Sequence, residues 1–328
     1  MTTISAPVSA TPDTVLPFAV EALDLRGRIV RLGPALDAIL ARHDYPEPVA
    51  RLLAEATALT ALLGTALKFE GRFVVQTRTD GPVSMLVVDF RTPDGLRAYA
   101  RFDAEAVAAA VASGRAGPAD LLGSGHLAMT VDQGGDMRPY QGVVALDGIG
   151  LEEVAHVWFG QSEQIPTRVR LAVAEELSRG ADGAVVRAWR AGGLLAQFLP
   201  QSEDRRRVRD LAPGDLPEGA EAPVHVDDDA WAEAEALIAT VADVELTDPE
   251  LSSERLLWRL FNERGVRVFD TLPLVERCRC SRERVGAMLA SFTAEEVADM
   301  TVDGAIEVTC EFCSTRYRFD PAEVRPAE

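Results

Sequence analysis

The sequence has no long apolar run and no basic N-terminal leader. Met1 to Pro17 is rich in Thr, Ser, Pro and Ala and carries no positively charged stretch, which argues against a secretory signal. Nowhere do 18 or more apolar residues follow one another without charge, the length a spanning helix requires. A cytoplasmic protein with no membrane partner is expected, and residues 1–17 read as a disordered extension. Positive charge is scarce too: 33 Lys and Arg face 52 Asp and Glu, a net charge of −19. Such a chain repels a phosphate backbone, so no nucleic-acid partner is expected. Catalytic signatures are also missing. No GxGxxG or GxxxxGK[ST] loop, no HExxH and no Ser/His/Asp order is present, so neither an enzyme nor a use of ATP is expected.

What is present is a globular composition, 47% apolar and 26% charged over 328 residues, enough for two or three domains. From Glu47 to Phe69 the apolar positions Val49, Leu52, Leu53, Ala56, Leu59, Leu62, Leu63, Ala66 and Leu67 recur at three and four, which predicts an amphipathic helix with Pro48 in its first turn. The period then shortens. Phe73 to Thr79, Val83 to Phe90 and Arg97 to Phe102 read as strands, with Asp80-Gly81-Pro82 as a turn between the first two. His126 to Asp132 and Tyr140 to Leu146 read as two more. Residues 18–200 are therefore expected to form an N-terminal α/β domain with a largely antiparallel sheet and helices near 47–69, 104–113 and 151–162. Residues 201–229 hold nine acidic and four basic residues with Pro213, Pro217 and Pro223, and read as an acidic linker. Helical spacing returns at 229–241 and 249–264, where Leu256, Leu257, Leu260 and Phe261 share a face. The fold class is α+β: this domain, a helical middle segment within 201–270, and a small four-cysteine module at 271–328.

All four cysteines lie in that module. Cys278-Arg279-Cys280 and Cys310-Glu311-Phe312-Cys313 are a CxC and a CxxC separated by 29 residues. Two close pairs of soft thiolates are what a tetrahedral zinc site takes, and His43, His126, His156 and His225 lie far upstream in sequence, so one zinc held by four cysteines is expected. The module carries seven Arg against 11 Asp and Glu, unlike a nucleic-acid-binding zinc domain. On the residues alone the zinc reads as a static staple or as a reversible site, because a CxC pair can close a small strained ring and strained disulfides are labile. A thiol oxidoreductase is a third reading of the CxxC. It needs the thiolate at a helix N-terminus, whereas Ser314 to Phe319 alternates like a strand.

The chain resembles the heat-shock protein 33 family of redox-regulated chaperones. The likeness rests on His43-Asp44-Tyr45-Pro46, Leu67-Lys68-Phe69, Asp80-Gly81-Pro82, Tyr140-Gln141-Gly142-Val143-Val144, Ser162 to Arg168, Ala191-Gly192-Gly193, Leu257-Trp258-Arg259-Leu260, and Cys278 to Arg284 with the later CxxC. It spans about residues 20–320. The resemblance implies an ATP-independent holdase, inactive while reduced and zinc-bound through Cys278, Cys280, Cys310 and Cys313. It implies that oxidation pairs Cys278 with Cys280 and Cys310 with Cys313, releases zinc, unfolds the C-terminal region and favours a homodimer that binds unfolded client proteins. The apolar face of 256–261 must be buried against a partner. Oxidation is expected to unfold the cysteine module first and 229–264 with it, leaving 18–200 folded. Two features depart from the family pattern: the 201–229 stretch, and Ser314 where the family often has Gly.

Overall fold

The computed structural model describes residues 12–324, except 68, 135–137, 164, 180–182 and 200–228. The expected tail 1–11, most of the acidic linker, and the end of the cysteine module lie outside the described residues.

The strands are β1 (Thr14–Val20), β2 (Leu25–Leu32), β3 (Arg72–Thr79), β4 (Val83–Arg91), β5 (Gly95–Phe102), β6 (Ser124–Asp132), β7 (Tyr140–Asp147), β8 (Thr167–Arg179), β9 (Val185–Phe198), β10 (Arg267–Val268), β11 (Leu272–Pro273), β12 (Val275–Glu276), β13 (Ile306–Thr309) and β14 (Arg316–Phe319). They form two six-stranded sheets and one hairpin. The first sheet runs β10-β1-β2-β9-β8, with β11 also pairing β1; the second runs β12-β5-β4-β3-β6-β7. Every pair is antiparallel except β12 with β5. The expected antiparallel α+β body is found, as two sheets where the period-2 runs had suggested one.

The helices are α1 (Pro34–Leu40), α2 (Glu47–Ala66), α3 (Ala104–Ala112), α4 (Pro118–Leu122), α5 (Leu151–Trp158), α6 (Asp229–Ala239), α7 (Asp243–Thr247), α8 (Ser253–Phe261), α9 (Arg282–Leu289) and α10 (Ala294–Asp299). Helix α2 lies between the sheets, touching β2, β8 and β9 of one and β3, β4 and β5 of the other. It is long and apolar enough to cross a bilayer, but 78% of its most apolar window is buried inside the protein, as a central core helix should be. Leu52, Leu53, Leu59 and Leu62 meet Val30 from the first sheet and Phe73, Val88 and Leu96 from the second in one continuous core.

The opposite face of the first sheet carries a second core. Phe18, Val20, Leu25, Ile29 and Phe198 receive Trp231, Ile238, Leu246, Leu256, Leu257, Leu260 and Phe261 from α6, α7 and α8. The partner of the apolar face at 256–261 is therefore this sheet and not the cysteine module. Burying such side chains contributes about 1.5–3 kcal/mol each, which fastens three short helices that would be marginal alone.

Two expected boundaries move. Residues 14–17 belong to β1 and not to a disordered extension. Pro17 fits because β10 takes Phe18 and Ala19 while β11 takes Thr14 and Val15, so no ladder bond on that side needs its missing N–H. Residues 272–276, expected at the start of the cysteine module, pair with β1 and β5 and place Leu274 in the main core. Strands of two residues leave no period to read.

Candidate metal centre

The cysteine module is a small unit built on α9, α10 and the β13–β14 hairpin around Leu289, Val297, Ile306, Phe319 and Val324. Ser281 caps α9 through Oγ to the Arg284 N–H, and Thr293 with Glu296 forms a capping box on α10. Cys278 and Cys280 lie on the arm leading into α9. Cys310 and Cys313 lie on the turn between β13 and β14, where the Ser314 N–H donates to the Cys310 carbonyl (2.8 Å) and the Cys310 N–H to the Thr315 carbonyl (2.9 Å).

The fold brings all four expected residues together, with every Sγ within 4.8 Å of the others. Cys278 and Cys280 are 3.5 Å apart, Cys278 and Cys310 3.7 Å, and Cys280 and Cys313 3.2 Å. All are free thiols. Sulfurs bound tetrahedrally to one zinc at the usual Zn–S length stand about 3.8 Å apart, so the donor set and its spacing fit that ion. The distances do not sort the sulfurs into CxC and CxxC pairs, since the shortest runs between the motifs.

The surroundings act unequally on the sulfurs. Burial pushes the Cys280 thiol up to about 12, although the Tyr317 hydroxyl, 3.1 Å from its Sγ, pulls the other way. Burial also opposes the Cys313 thiolate, but hydrogen bonds from the Thr315 side chain (3.2 Å) and backbone outweigh it and bring that thiol down to about 6. A dication shared by the four would hold all of them as thiolates. Tyr317 and Thr315 were not legible as site residues. The alternation of 314–319 predicted only their strand.

The module rests on the outer face of the second sheet. Phe312, inside the CxxC, lies under the Arg97 guanidinium, 4.0 Å from its ring centroid, and edge-on to Tyr99. Glu311 pairs with Arg101 at 2.9 Å. Ser314 has φ 56°, the left-handed region where glycine is favoured, and its Oγ donates to the Arg42 carbonyl at 2.8 Å and lies 3.3 Å from His43 Nδ1. His43, set aside as remote in sequence, thus adjoins the site without being a ligand. The CxxC opens onto a strand and not a helix, so the oxidoreductase reading lacks its structural context.

A two-sheet body carrying a docked four-thiol module defines the class. The chain matches the family model described as Hsp33 protein over residues 13–320. A 33 kDa chaperonin from Caulobacter vibrioides is 49% identical over 98% of this chain and 99% of its own, and one from Pseudomonas fluorescens is 38% identical over 94% and 90%. The crystal structure of a 33 kDa chaperonin from Thermotoga maritima superposes with a TM-score of 0.70 over 95% of this chain and 96% of that one, at 22% identity. The chain belongs to the Hsp33 family.

Proposed function

We propose that this protein is a redox-regulated, ATP-independent holdase of the cytoplasm, held inactive by one zinc on Cys278, Cys280, Cys310 and Cys313. The observation that carries the reading is the convergence of four free thiols from two distant motifs on one point at ligand spacing. Zinc, when bound, supplies about 10–16 kcal/mol of apparent binding free energy to a structural site, as much as a whole domain's stability. The module needs such support, because its own core is a cluster of five buried side chains among the described residues.

Oxidation removes the ligands. In each pair two thiolates give up two electrons to one hydrogen peroxide, which takes two protons from solvent and leaves as two waters, and the resulting disulfide sulfurs carry no charge for a dication. The family likeness favours Cys278 with Cys280 and Cys310 with Cys313. With the module loosened, Phe312 leaves Arg97 and Ser314 leaves Arg42, and the strap of β10, β11 and β12 loses its anchor at Cys278. The strap is continuous with α8, so its release frees α6 to α8 to leave the first sheet. Phe18, Val20, Leu25, Ile29 and Phe198 are then bared together with the helices' apolar faces. A contiguous apolar surface of that kind captures partly unfolded clients, and in a second copy of the chain would favour the dimer.

The test combines zinc release, followed with a chromogenic chelator during peroxide treatment, with light scattering of a thermally unfolding client. Zinc release accompanied by suppression of aggregation without ATP is expected. Equal suppression by reduced and oxidised protein would overturn the switch in favour of a constitutive binder with a static zinc site.

A further inference from the structure

Beside the metal centre, the end of the second sheet and the CxC arm together enclose a cavity of about 30 Å³ lined by Asp89, Arg91, Thr92, Gly95, Arg97, Arg277 and Arg279. The parallel pairing of Val275 with Gly95 and Glu276 with Leu96 brings the arm there. Positive charge is in excess. Asp89 Oδ2 accepts from Arg97 Nε at 2.7 Å and Nη2 at 2.5 Å, and Arg72 Nε stands 2.9 Å away. Arg277 pairs with Asp94. Arg91 and Arg279 have no ion pair among the described residues. Five guanidiniums thus share two carboxylates in a chain whose net charge is −19. A second observation is independent of charge. Asp89 is 4% exposed, yet its other oxygen, Oδ1, has no hydrogen-bond donor among the described residues, which costs about 1–3 kcal/mol for a buried polar group.

We propose that the mouth of this cavity, between Arg91 and Arg279, is a binding site for inorganic phosphate as its hydrogen phosphate dianion. The guanidiniums match the oxyanion's charge and geometry. The orphaned Asp89 oxygen accepts only, so it selects an anion that still carries a proton to donate. Hydrogen phosphate has that O–H. Sulfate has the same charge and nearly the same shape without it, and a fully ionised phosphate monoester has the same charge with an ester group where the O–H stood; both present lone pairs to the carboxylate.

Because Arg91 and Arg97 belong to the sheet and Arg277 and Arg279 to the CxC arm, the anion joins the two. Binding is linked to docking of the module. On the redox-switch reading proposed above, phosphate then slows oxidant-triggered zinc release.

The test titrates inorganic phosphate into reduced, zinc-loaded full-length protein by calorimetry at constant ionic strength set with sodium chloride, with sulfate and methyl phosphate as parallel arms. One-to-one phosphate binding is expected, with the other two anions at least about tenfold weaker, and Arg91→Gln and Arg279→Gln each costing about tenfold or more while zinc stays at one per chain by elemental analysis. Indistinguishable phosphate and sulfate binding, or Arg91→Gln binding as well as the parent, overturns the site. Peroxide-triggered zinc release is measured with and without phosphate. An unchanged rate despite intact binding overturns the linkage alone, and no zinc release under either condition overturns the switch reading while the binding result stands.

Discussion

Ser314 reaches across from the CxxC turn to the body, its hydroxyl donating a 2.8 Å hydrogen bond to the carbonyl oxygen of Arg42. The residue sits at φ 56°, where a side chain carries a conformational cost that glycine avoids. Serine in place of glycine here therefore has two opposed effects, strain in the turn and an added tie to the loop after α1. Ser314→Ala keeps the strain and loses the tie. It is expected to weaken docking by about 1 kcal/mol and speed peroxide-triggered zinc release several-fold. Ser314→Gly, relieved of strain, should fall between the two. Chelator-detected release rates for the three proteins decide this, and a Ser314→Ala rate equal to the parent's would mean that the bond does not hold the module.

Tyr317 supplies a hydrogen bond to Cys280 Sγ at 3.1 Å. A donor beside a ligand sulfur draws charge from it, which steadies a thiolate and dulls it as a nucleophile. Tyr317→Phe should lower zinc affinity by about tenfold, within the range for outer partners of metal ligands, and raise the oxidation rate. Competition with a chelator of known affinity measures the first effect. An unchanged affinity would show that the hydroxyl does not tune the sulfur.

Burial pushes the Glu55 carboxyl on α2 up to about 7, with Glu152 and Asp243 adding to the rise and Arg51 opposing it. The folded state binds this proton more tightly than the unfolded state, whose ordinary value is 4.5. The contribution to stability is therefore whole below about 4.5 and lost as pH rises through about 7. Glu55→Gln removes the charge, so the variant should be more stable than the parent at pH 8 by about 1–3 kcal/mol and nearly equal at pH 5. Urea unfolding at the two pH values checks it, and a parent-minus-variant difference that does not change with pH would remove Glu55 as the source.

The sequence carried the parts of this molecule whose patterns are long. Helix α2 and strands β3 to β7 appear close to their expected places because each has at least seven residues of one period. The first sheet was missed. In β2 the buried face is interrupted by Gly27, and Arg31 is buried at the next turn of the pattern. Its side chain bonds the Glu245, Leu246 and Asp248 carbonyls at the end of α7, a contact more than 200 residues away in sequence. The four cysteines were legible because metal-ligand spacing is a local signal. Arg97, Ser314 with Arg42, and His43 were not, since their roles arise where distant segments meet. Gly192 and Gly193 on β9 stand where other elements approach the sheet closely.

At Gly192 the approach is backbone to backbone: a Cβ there would lie 1.9 Å from the Leu246 carbonyl oxygen. Leu246 lies in the last turn of α7, and the Arg31 guanidinium holds the same carbonyl from below at 3.0 Å. The middle segment can therefore seat on the first sheet only over a residue without a side chain. Gly192→Ala should lift α7 and with it α6 and α8, because the clash is with backbone that cannot rotate away. The cysteines lie on the far side of the body, so their spacing should be unchanged and zinc content should equal the parent's. The variant separates two events that oxidation would join on the proposed reading. If undocking the middle segment is what exposes the client surface, reduced, zinc-loaded Gly192→Ala should suppress client aggregation without oxidant and bind a hydrophobic dye more strongly than the parent. Fluorescence and light scattering, with zinc content checked by elemental analysis, test this directly. A reduced variant that melts at a lower temperature but stays inactive would show that the helices α6 to α8 do not cover the surface that matters, and would point instead to the face beneath the cysteine module.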